Sequence, residues 1–284
     1  IGACYALHNG DFESFEKVMT ATLQKSTIRE ILLHPMVVLR ILIFLSIVGI
    51  VWWLTCSIAY TALSLLVESI LLIVFKTTLF PLTRYKQRAY KKIFFGDKIL
   101  CDLPDSPSLV INSTNLETGT LFTFSKRDMN DSSYKYPDSG EPIEYKHQCY
   151  PIANAVSAST CVPMVFDAVK IEKQYYKNPI QFYDVHPKLM DGGLYDNQGI
   201  HKVTQLKSAY NCDTVICSDG SMPFNKKIRG LNSITLLLRA NEVMMRRIKS
   251  MQFIRNVYES NFEIAYFSLD WEYELIFEKL YNSI

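Results

Sequence analysis

Hydrophobic positions are spread unevenly along the chain, and their densest run is residues 36–75, "MVVLRILIFLSIVGIVWWLTCSIAYTALSLLVESILLIVF". The run shows neither the alternation of a strand nor the one-sided stripe of a surface helix. A bilayer core of about 30 Å takes roughly 20 apolar helical residues per crossing, so the block is about two crossings long. Only Arg40 and Glu68 are charged within it, and Trp52, Trp53 and the small polar run Thr55, Cys56, Ser57 sit at its middle. That midpoint predicts the turn of a helical hairpin with its indoles at the far interface. Both flanks are basic: Lys17, Lys25 and Arg29 before, and Lys76, Arg84, Lys86, Arg88, Lys91 and Lys92 after. Basic flanks predict that both ends lie on the cytoplasmic side. An even number of crossings also keeps the flanking stretches in one compartment, as a shared domain requires. A buried helical lid and a hairpin lying in the interface are the competing readings. Glu68 is the objection to a span, at about 3 kcal/mol for a charge at a membrane helix centre. Arg40, near an end, is expected to snorkel.

Outside the block the pattern changes to short elements. "IGACYAL" reads as the first turns of a helix, and Asp11 or Ser14 as the cap of the next, "SFEKVMTATLQKS". "SLVINSTNL" and "TLFTFSK" read as two strands joined by "NLETG" with Gly119 at the turn. Residues 128–147 are polar with Pro and Gly and read as a surface loop. A small-residue helix is expected over Ile152–Ser159, stopped by Pro163, then a strand ending at "KLMDGG", then a strand over Thr214–Cys217. A long helix follows over residues 233–260. Strands alternating with helices predict an α/β layered domain. The expected division is residues 1–35, the start of that domain; 36–76, the hairpin; and 77–284, its remainder.

Composition narrows the function classes. Half of the 284 residues are hydrophobic and the net charge is +2, with no basic stripe interleaved with aromatics, so no nucleic-acid partner is expected. The seven scattered cysteines form no C-x-x-C pair and no zinc-finger spacing with histidine, and read as reduced and mostly buried. Asp191, Asp196 and Asp219 match no calcium loop, so neither metal nor cofactor is expected. His186 precedes Pro187 and reads as a surface histidine; Ser157 and Ser159 read as helix-packing serines.

The segment "KLMDGGLYDNQGI" sets one carboxylate, Asp191, directly before Gly192 and Gly193. By itself it is a turn signal, because glycine reaches positive φ without steric cost. Combined with "AVSASTCVPMVF", "LVINSTNLETGTLFTFS", "FFGDKILCDLP" and the opening "IGACYAL", in this order, it resembles the patatin-like phospholipases, serine acyl hydrolases that use a Ser–Asp dyad. The resemblance covers residues 1–10 and most of 94–224. It implies a three-layer α/β fold with a central, mostly parallel sheet, interrupted here by the hydrophobic hairpin. It implies that Asp191 is the base, that Gly192 and Gly193 support it, and that Asn197 lies in the family's downstream segment. Ile1 and Gly2 would be the remnant of the nucleophile elbow, with the Ile1 backbone N–H in the oxyanion hole. On this alignment the serine falls immediately ahead of Ile1, so the chain reads as an N-terminally truncated fragment and is expected to be inactive as it stands. The implied function is membrane-associated hydrolysis of a phospholipid or other lipid ester, with the α/β domain on the cytoplasmic face. A non-catalytic, membrane-anchored lipid-binding or scaffold protein is the alternative, and a small transporter subunit a more distant one.

Overall fold

The computed structural model describes residues 2–8, 11–24, 26–131, 143–163, 165–220, 232–258 and 263–268. The chain divides into two units, Ile1–Asp191 and Gly192–Ile284.

The first unit opens with α1 (Gly2–Ala6) and α2 (Phe12–Leu23), the latter capped by the Asp11 carboxylate, which accepts the Ser14 N–H at 3.2 Å. Helix α3 (Thr27–Leu32) is capped in the same way by the Ser26 hydroxyl. These short polar side chains occupy donors that the first helical turn leaves free.

The apolar block forms two helices, α4 (Pro35–Thr55) and α5 (Ile58–Val74), packed against each other. Pro35 starts α4, where a missing N–H costs nothing. The chain reverses at Cys56 in the left-handed region (φ 44°), within the Thr55–Ser57 run. The seam between the helices is the polar side of α5. Thr61, Ser64, Glu68 and Leu72 are the shielded positions of α5, and Val37, Arg40, Phe44, Val48 and Val51 those of α4. Thr61 and Ser64 satisfy their hydroxyls on carbonyls of their own helix at 2.9 Å. Outward, 23 large apolar side chains between Met36 and Phe75 are exposed, Trp53 by 77%. The pair is therefore apolar outside, with polar and apolar side chains mixed at its shielded positions. Glu68 is buried, and its Oε1 has no hydrogen-bond partner among the described residues. Arg40 does not snorkel: its guanidinium donates to the Leu79 carbonyl of α6 (Lys76–Leu79), an acceptor that a helix end leaves unpaired.

After α5 the chain bends by 86°. Helix α7 (Leu82–Tyr90) runs on into a π-helical turn, Lys91–Phe95, closed by Gly96 at φ 55°. α3, before the hairpin, packs on α7, after it, so the two feet of the hairpin meet.

Five strands form one sheet in the order β3 (Met129–Asp131), β2 (Thr120–Ser125), β1 (Val110–Asn115), β5 (Lys188–Asp191), β4 (Val169–Lys170). Every pairing in it is antiparallel, which corrects the expectation of a mostly parallel central sheet. The reason is local. A connection as short as residues 116–119, with Gly119 at φ 64°, joins neighbours only as a hairpin, whereas parallel neighbours need a crossover of a dozen residues or more. The Asp131 carboxylate locks this turn by accepting from Asn115, Thr118 and Thr120 at 2.5–2.8 Å. The 128–147 stretch is thus part strand; residues 132–142 of it lie outside the described residues.

Helix α8 (Ile152–Ser159) lies on β1, β4 and β5, and α7 packs on α8. Ala153, Ala155, Ser157 and Ala158 are its buried positions, small enough for the helix to approach the sheet closely. Phe122 and Phe124 of β2, with Tyr150, Ile152 and Leu189, are fully enclosed, and the Phe124 and Tyr150 rings stack at 5.3 Å. A short helix, α9 (Gln181–Asp184), leads into β5.

The second unit holds a 3-10 turn (Gly192–Leu194), α10 (His201–Thr204), and β6 (Thr214–Asp219) paired in parallel with β7 (Glu263–Ser268). Helix α11 (Ser233–Tyr258) lies between these strands in sequence, as a parallel pair requires.

Candidate active site

Asp191 is the last residue of β5 and is half-buried. Its backbone is held on two sides: its N–H donates to the Cys161 carbonyl at 3.0 Å and its carbonyl accepts the Thr114 hydroxyl at 2.9 Å. Gly192 and Gly193 continue at once into the 3-10 turn, so extended backbone ends beside the carboxylate.

In register, Asp191 lies opposite Ser113 of β1. Side chains at paired positions leave the same face of a sheet about 5 Å apart. Ser113 is completely enclosed, and its hydroxyl has no hydrogen-bond partner among the described residues. A hydroxyl sealed from solvent cannot attack a bound ester, so Ser113 is packing beside the carboxylate. Ser157 is equally enclosed and unpartnered, and Ser159 lies on the same helix, α8.

The amino-terminal helix approaches β1 from its start. A side chain added at Gly2 would meet Leu109 at 3.7 Å, an ordinary contact, so space alone does not demand glycine there. Leu109 and Ser113 are four residues apart, about 13 Å along a strand. Gly2 therefore lies near the residue before β1 and Asp191 opposite its second half. Ile1 lies outside the described residues.

A basic group not singled out by the sequence reading completes this region. Lys86 of α7 is only 2% exposed; its ammonium donates to the Thr160 carbonyl at 3.0 Å and sits 4.2 Å from the centre of the Phe166 ring. Burial draws it down to about 8, against the attraction of Cys161 and Asp191. Cys161 itself is enclosed. Its thiol contacts the Asp167 carbonyl at 3.0 Å, and burial raises it, which keeps it protonated and unreactive at neutral pH. In the sequence Lys86 was one cation of a basic flank; only the packing of α7 on α8 separates it from its exposed neighbours Arg84 and Arg88.

The other acids named from the sequence have structural duties within the second unit. The Asp196 carboxylate accepts the N–H groups of Ile200 and His201 at 3.3 and 2.8 Å, capping α10. Asp219 pairs with Lys249 at 2.5 Å and accepts the Tyr266 hydroxyl at 2.6 Å. Asn197 opens the turn that Gly199 closes at φ 69°. His186 is exposed, with its ring 5.4 Å from that of Phe182. Among the described residues no three His, Cys, Asp or Glu side chains converge as metal ligands. No family model, curated protein or solved structure matches this chain.

Proposed function

We propose that this chain is part of a membrane-associated lipid acyl hydrolase of patatin-like type, cleaving carboxylic esters of a phospholipid or related lipid with Asp191 as the general base. The observation that carries this reading is a single half-buried carboxylate, clamped through its backbone at a strand end and followed by two glycines. Such a carboxylate activates a hydroxyl by taking its proton across a hydrogen bond of about 2.6–3.2 Å. In the dyad the hydroxyl belongs to the serine expected immediately ahead of Ile1. Attack on the ester carbonyl then puts negative charge on its oxygen, which the Ile1 N–H stabilises together with the amino end of the first helix.

The hairpin supports the same reading. Its outward apolar surface is the composition of a bilayer-facing element, and its two feet meet, as two crossings with both ends on one side require. An anchored esterase keeps its site beside an insoluble substrate.

The test is hydrolysis of a fluorogenic acyl ester by a chain carrying a serine immediately ahead of Ile1, with Asp191→Asn beside it. The expected loss in kcat/KM is about a thousandfold or more, the scale of removing a catalytic base from a coupled pair. Equal rates in both proteins remove Asp191 from the mechanism.

Lys86 favours a second reading, a non-catalytic lipid-binding protein on the same scaffold. A buried ammonium that attracts the Asp191 carboxylate gives that carboxylate a structural charge partner. On this reading the serine-bearing chain shows no ester turnover and still sediments with membranes.

A further inference from the structure

Beneath the foot of α4 lies a cavity of about 790 Å³ at which four helices meet. The end of α2 and the start of α3 contribute Gln24, Ser26 and Arg29; the cap of α4 contributes His34; α7 contributes Tyr85 and Arg88. Three cations line it, Arg29, Arg88 and Lys92, against one carboxylate, Glu30. Glu30 is already engaged by Lys92, with both oxygens within 3.0 Å of the ammonium. Arg29 and Arg88 have no carboxylate partner among the described residues, so two guanidinium charges remain uncompensated at one opening. The wall beside Arg88 is aromatic: the His34 and Tyr85 rings lie 4.2 Å apart, with the Arg88 guanidinium 6.0 Å from the Tyr85 ring centre. His34 Nδ1 accepts the Met36 N–H, which leaves the proton on Nε2 as a further donor.

Depth decides what such a cavity takes. Its rim includes Leu33 and Pro35, the residues at which the apolar helix begins. The 86° bend after α5 turns the basic α7 away from the hairpin axis, so with α5 upright α7 runs along the membrane surface. We propose that this cavity binds the phosphate of an anionic phospholipid headgroup, whose acyl chains lie along the outward face of α4. Guanidinium forks match phosphate oxygens in pairs, and a basic pocket at the cytoplasmic end of a membrane helix is a setting in which headgroups are held. The inference rests on the membrane reading of the hairpin.

The experiment uses the whole chain in neutral detergent, titrated with short-chain phosphatidic acid, short-chain phosphatidylcholine and inorganic phosphate, and read by calorimetry. Phosphatidic acid is expected to bind best. Arg29→Gln with Arg88→Gln should weaken that binding roughly thirtyfold, the combined effect of two cations beside an anionic lipid. Arg84→Gln with Lys91→Gln removes equal charge from outside the cavity and should change affinity less than about threefold. Equal losses in the two double variants overturn the site in favour of diffuse surface charge. Inorganic phosphate binding as tightly as phosphatidic acid overturns the lipid assignment, as does the absence of binding. Flotation with neutral vesicles separates this from failure of the hairpin reading. Both double variants should float like the parent, and a parent that does not float refutes the anchor.

Discussion

The hairpin and the sheet differ in what they leave exposed. In the hairpin the shielded positions mix Arg40, Thr61, Ser64 and Glu68 with Phe44, Val48, Val51 and Leu72, while leucines, isoleucines and tryptophans are exposed. In the sheet the enclosed positions are Phe122, Phe124, Tyr150 and Leu189, while Lys188 faces solvent. Each arrangement is favourable in only one medium. Water drives the sheet's aromatics together at roughly 25 cal/mol per Å² of apolar surface removed from it. A hydrocarbon environment gives Leu and Ile no reason to cluster, and there association falls to packing and to polar groups turned inward. The difference teaches that the exposed surface changes character at Pro35 and again past Val74, as the proposed membrane anchor requires.

That contrast is broken or sharpened by substitution. The largest effect is expected from Leu45→Asp with Leu66→Asp, at outward positions 63% and 58% exposed near the middles of α4 and α5. At about 3 kcal/mol each in a bilayer centre, the pair should abolish membrane retention, measured by carbonate extraction. A variant that is retained like the parent would mean that these faces never meet lipid. Next is Phe124→Ala, which should cost about 3–5 kcal/mol of unfolding free energy in detergent, read by urea denaturation, because it empties an enclosed aromatic site. Leu66→Ala should change the same measurement by less than about 0.5 kcal/mol, since its side chain contacts detergent in both states.

The smallest effect concerns Lys86. Below about pH 8 its ammonium is charged in the folded and unfolded chain alike. Between about 8 and the ordinary value of 10.5 the folded chain has released the proton and the unfolded chain still holds it. The unfolded state then binds more protons, so stability rises with pH across that window. Lys86→Met should remove this rise and stabilise the protein at pH 7 by on the order of 1 kcal/mol. A melting temperature of the parent that falls between pH 8 and pH 10, while that of the variant stays level, would contradict the buried-ammonium account.

Local pattern determined a good deal. A run of apolar residues two crossings long cannot avoid helix, and the polar residues at its midpoint mark its turn, found at Cys56. Period and capping chemistry outlined Ile152–Ser159, the Asp11 cap and the hairpin around Gly119, because those signals act over a few residues. Asp191 was visible as a carboxylate before two glycines. What the sequence could not carry were facts that depend on residues far apart in the chain. The pairing of β5 with β1, the burial of Lys86, the capture of Arg40 by the Leu79 carbonyl and the burial of Glu68 were decided only when the elements packed. Hydropathy assigns a residue to a medium by its own composition; burial assigns it by its neighbours, and neighbours exist only in the tertiary structure.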